Sequence, residues 1–138
     1  MSSTSPPRYI LGAGLGPYAN KQPSAIQHFG PNVGDKVKEL VAQSTAEARE
    51  AGFEIISHNV NPGEPEASVQ KFTALLKERD WAGVIVGFGL RGQKEHTVLC
   101  ERLLNVCRVV VPKAVIMLTN GPDELYTAIK RNFPDGSE

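Results

Sequence analysis

Three glycines and an arginine, Gly87, Gly89, Arg91 and Gly92, stand in the stretch VIVGFGLRGQKEH between an apolar run and a charged, helix-like segment. The chemistry such a set can do is anion binding. Glycine has no Cβ and tolerates positive φ, so backbone N–H groups there can come close to a ligand. A guanidinium beside the amino end of a following helix adds a two-pronged donor for carboxylate or phosphate. The competing use of the same residues is a tight turn with a surface arginine paired to Glu95 or to water. His96, one turn further on, is the candidate general acid or base of this stretch, set against the commoner role of a packing histidine.

A second glycine-rich stretch, GAGLGP at residues 12–17, follows an earlier apolar run. Gly12 and Gly14 are therefore further candidates for ligand contact. The roughly 20 residues after it form a long connection, the kind that is usually functional or mobile. It carries Tyr18, Asn20, Lys21, Gln27, His28 and Phe29. Folded over the strand ends it would be a lid, with Tyr18 on the ligand and His28 as a second proton-transfer candidate. Left uncovered, it would be a disordered or partner-covered segment.

Gly87, Gly89 and Gly92 also match the dinucleotide spacing G-x-G-x-x-G, after a strand and before a helix. Nicotinamide-cofactor binding through residues 87–92 is the alternative this raises. Three features oppose it. The match follows the third strand where the fingerprint follows the first. The next strand ends in Thr119 and Asn120, with no carboxylate for a ribose hydroxyl. Four strands also supply little more than one mononucleotide-binding half. No G-x-x-x-x-G-K-[ST] and no G-x-S-x-G occurs. His96 and Cys100, at i and i+4, are a lone pair of possible ligands, so no metal site and no bound cofactor are expected. Cys100 and Cys107 on one helix would lie about 10 Å apart, too far for a disulfide, and read as reduced buried thiols.

Positioning these residues requires alternating strands and helices. Strands are expected at 8–14, 53–60, 81–89 and 114–119, with Pro112 before the last of them. Helices are expected from about Asp35 to Gly52, from Pro65 through Leu76, over 93–108, and over 121–133. The third helix would turn Val98, Leu99, Leu103, Val106 and Cys107 inward. This pattern implies an α/β domain: a three-layer sandwich with a short parallel sheet of about four strands, order 2-1-3-4, and helices on both faces. The topology resembles flavodoxins and response-regulator receivers in fold only. The hydroxyl-rich phosphate loop of the first and the acidic cluster of the second are missing. In this order the site falls at the carboxyl ends of strands 1 and 3, with Asn120 on the same rim.

The 138 residues suit one domain, with a short arm at 1–7, the long loop at 15–34 and a tail at 134–138. Fifteen basic residues balance fifteen acidic ones, which argues against a nucleic-acid or membrane-surface footprint and does little to oppose self-association. Neither a spanning run nor a secretory leader is visible, so a cytoplasmic location is expected. The reading that joins these points is a protein binding an anionic small molecule through Gly12, Gly14, Tyr18, Gly87, Gly89, Arg91, Gly92 and Asn120. If chemistry follows, His96 or His28 would move the proton in an isomerase, lyase or hydrolase step. A non-catalytic homo-oligomeric module is the third possibility.

Overall fold

The computed structural model describes residues 6–16 and 33–134. Tyr18 and His28 lie outside the described residues. The chain runs β1 (Arg8–Gly14), α1 (Val33–Glu50), β2 (Phe53–Asn59), α2 (Pro65–Leu76) and β3 (Trp81–Val86). A four-residue helix α3 (Phe88–Arg91) follows, then α4 (Thr97–Val110), β4 (Val115–Leu118) and α5 (Leu125–Asn132), with 3-10 turns at Lys94–His96 and Pro122–Glu124. The strands form one all-parallel sheet in the order β2-β1-β3-β4.

Side-chain alternation decides which helices cover which face. Leu11, Ala13, Val84 and Val86 point to one side, where α2 supplies Val69, Phe72 and Leu76 and α4 supplies Leu99, Leu103 and Cys107. Ile10, Ile55, Ile85 and Met117 point to the other, against Ala48 of α1 and Leu125, Ala128 and Ile129 of α5. β3 is covered on both sides, which is why its sequence WAGVIV has no polar alternate. Gly83 is the one small residue its packing demands: a Cβ there would lie 2.5 Å from Met117 Cε and 3.0 Å from the Val115 carbonyl.

Local signals set the element ends. Gly52 closes α1 at φ +94°, a conformation that favours glycine, and its carbonyl accepts the Arg8 N–H at 2.9 Å where β1 starts. Pro65 occupies the first turn of α2, where no N–H is needed. Among the described residues, no helix is long and apolar enough to cross a membrane.

Three expectations need correction. The third long helix begins at Thr97, not Gln93, because residues 88–91 form a helical turn of their own and 94–96 a tighter one. β3 stops at Val86 and β4 spans only Val115–Leu118. Val98 does not face inward; it is 69% exposed. The inner stripe of α4 is Leu99, Leu103 and Cys107, spaced four apart, and Val98 is set about 100° round the helix from Leu99.

Candidate functional site

The carboxyl ends of β1, β2 and β3 finish level. Gly14 pairs with Asn59 and Ala13 with both His58 and Val86. Beyond the ladder, the Val60 N–H donates to the Gly14 carbonyl at 2.7 Å and the Gly87 N–H to the Ala13 carbonyl at 2.9 Å. A Cβ on Gly87 would lie 3.4 Å from that carbonyl and 3.7 Å from Gly14 Cα, so the two exits run side by side. Among the described residues, nothing lies within 4 Å of the Cβ position of Gly14. Gly12 is set back inside β1, beside Ile55.

The other loop glycines make room for side chains. Leu15 leaves β1 and turns into the core, 5% exposed. It lies over Gly89, whose Cβ would sit 2.9 Å from Leu15 Cδ1. Gly92 lies under the Phe88 ring, where a Cβ would come within 2.5 Å. Gly16, at φ +54°, packs against Asn59. Leu90 is fully buried and anchors the turn from below. The amides are also committed: Leu90 and Arg91 donate to the Gly87 carbonyl, and Gly92 to that of Phe88. The expected cradle of bare N–H groups is therefore absent at Gly87, Leu90, Arg91 and Gly92. The stretch is a packed turn with these four amides committed, so polar recognition here rests largely on side chains.

Arg91 is the side chain so placed. It ends α3, six residues before α4 in the chain. Its guanidinium lies 5.3 Å from the Phe88 ring centroid. Nη2 donates to the Thr119 carbonyl at 3.1 Å and to Asn120 Oδ1 at 2.7 Å, crossing from the β3 exit to the β4 exit. The Asn120 N–H donates to Glu124 Oε1 at 3.1 Å. Both Nη2 hydrogens are thus used, and Nε is buried without a partner among the described residues. The two-pronged fork expected from the sequence is reduced to Nη1, while Asn120 keeps its Nδ2 hydrogens for a second contact.

The structure therefore brings Arg91 and Asn120 together, and Gly14 and Gly87 together. His96 is buried, 6% exposed, at the foot of α4. Cys100, one turn on, is also buried; burial pushes its thiol up and the nearby Arg91 charge offsets part of the rise. Burial pushes Cys107 up to about 11. Neither thiol has the lowered pKa that a nucleophile needs. Thr119, Phe88, Glu124 and Leu15 were not among the expected site residues. The phenylalanine between two glycines in GFG was a visible signal for Phe88; the others act through contacts between distant segments.

His58 lies at the exit of the edge strand, yet is only 9% exposed. Its ring is 6.1 Å from that of Phe72 and its Nε2 is buried without a partner among the described residues. Burial lowers its pKa, a Ser68 backbone contact restores part, and Lys71 lowers it further. The folded state then binds fewer protons than the unfolded one in mild acid. The His58 contribution is present above the ordinary imidazole pKa and is lost as pH falls through it towards the depressed value. His58→Phe is expected to flatten the fall in stability between about pH 7.5 and pH 5.5, read by urea denaturation at the two values.

No family model, curated protein or solved structure matches the chain in comparisons with known proteins.

Proposed function

We propose that the protein binds a small anionic molecule, a nucleotide, phosphorylated metabolite or carboxylate, at the carboxyl rim of its sheet. The observation that carries this is Arg91: a guanidinium stacked on Phe88 and tied to the β4 exit by Nη2, with Nη1 given no partner among the described residues. A latch of this kind fixes the arginine before a ligand arrives, so little side-chain entropy is lost on binding. Asn120 Nδ2 supplies the neighbouring donor, and the adjoining Gly14 and Gly87 form the floor.

The committed amides and the packing of Gly89 and Gly92 give the nicotinamide alternative no specific support, since a pyrophosphate needs close backbone approach at those positions. Calorimetry with orthophosphate, a nucleoside monophosphate and a four-carbon dicarboxylate tests the proposal. Arg91→Ala is expected to weaken the ligand that binds by about 1.5–3 kcal/mol, the worth of a hydrogen bond to a charged group. Arg49→Ala, which removes an exposed arginine paired with Glu54, is expected to leave binding unchanged. No heat from any of the three at millimolar concentration, or equal affinity in Arg91→Ala, overturns it.

A further inference from the structure

Among the described residues, the two most exposed large apolar side chains stand on one helix: Val98 at 69% and Val109 at 72%, both on α4. Eleven residues is about three turns, so they lie on one line. Arg102 and Asn105 fall between them on that line, giving steps of four, three and four, the phasing of a coiled-coil seam. A shallow groove of about 540 Å³ runs beside it between α2 and α4, lined also by Val69, Val106 and Val110. The polar middle of the seam is already partly satisfied. Arg102 donates to both carboxylate oxygens of Glu66 at 2.7 and 3.1 Å. Asn105 Nδ2 donates to the Glu101 carbonyl at 3.0 Å, leaving its side-chain oxygen to accept. Along one side of the seam stand Glu101, at the lip of the groove, and Arg108, seven residues on, both exposed and of opposite sign.

We propose that α4 docks antiparallel on α4 of a second copy across a two-fold axis. Val98 then meets Val109 of the second copy, Arg102 meets Asn105, and Glu101 meets Arg108, each contact made twice. The charge pattern selects this occupant. An acidic or a basic partner would meet one favourable and one unfavourable flank charge, whereas a reversed copy of the same helix satisfies both. The zero formal charge of the chain adds no long-range repulsion between copies. The seam is about 16 Å long, which fits a weak dimer with a dissociation constant on the order of micromolar.

Sedimentation velocity on the full chain, from low to high micromolar concentration, tests this. A reversible monomer–dimer equilibrium is expected. Glu101→Arg alone and Arg108→Glu alone each set like charges against one another twice, and each is expected to weaken dimerisation about tenfold or more. The double variant E101R/R108E restores the pairing and is expected to return to near the original constant. Both positions are solvent-exposed, and circular dichroism of each variant checks that the fold is unchanged. A monomer at every concentration overturns the proposal. So does a dimer insensitive to the single reversals, which places the interface elsewhere, such as the β4 edge with its exposed Ile116 and Leu118. Failure of the double variant to recover overturns the antiparallel register.

Discussion

Phe72→Ala is expected to lower the unfolding free energy by about 3–5 kcal/mol, measured by urea or thermal denaturation. Phe72 is fully buried on α2, in the same cluster as Leu11, Val84 and Leu103. Removing its ring deletes apolar contact and leaves a cavity that two helices and a four-stranded sheet cannot close without moving backbone. The loss is a large part of the 5–15 kcal/mol that stabilises an ordinary domain. It also takes the aromatic partner from His58, whose unpartnered Nε2 then gains access to water. The acid-side fall in stability attributed to His58 should therefore shrink in Phe72→Ala as well. A change below about 1 kcal/mol would mean that α2 is not held where the structure places it.

The second large effect belongs to the glycine turn. Leu90→Ala is expected to cost about 2–5 kcal/mol, and its consequences should concentrate on one end of the sheet. Leu90 is fully exposed to the core and hidden from water, and it joins Leu15, Val86 and Leu99 in one cluster. It is the anchor that sets α3 in place and with it Arg91. Hydrogen exchange of the variant should show faster exchange at the Leu90, Arg91 and Gly92 amides than at the central strands β1 and β3. Uniform acceleration across the sheet would show that the turn unfolds only with the whole domain.

These expectations mark where the sequence was legible. The unbroken apolar run of β3 announced a strand covered on both faces, and Gly52 and Pro65 punctuated the helices as their backbone chemistry requires. From those signals the sheet order 2-1-3-4 followed by topology rules alone. The turn after β3 was only half legible. Three glycines at dinucleotide spacing suggest room for a phosphate, but Gly89 makes room for Leu15 and Gly92 for Phe88. Leu15 lies more than seventy residues away in the chain, and no local pattern reports such a partner. Arg91 and Asn120 could both be placed on the rim, yet the bond between them joins two strand exits and exists only in three dimensions. His58 ends the edge strand β2, yet Phe72 of the next helix buries it, a contact that strand order alone does not report. Val98 was misread because it adjoins Leu99 in an apolar pair, and neighbours on a helix stand about 100° apart, so that Leu99 faces the core and Val98 the solvent.

The Arg91 latch is open to direct observation by side-chain and amide NMR of isotope-labelled protein during titration with orthophosphate, a nucleoside monophosphate and a dicarboxylate. The expected result is a saturable shift of the Arg91 guanidinium signals with those of Gly14, Gly87 and Asn120, while Arg49 and Arg102, each already paired with a glutamate, stay in place. Arginine signals that all drift together without saturating, or an Arg91 signal that never moves, would contradict an anion site at this rim.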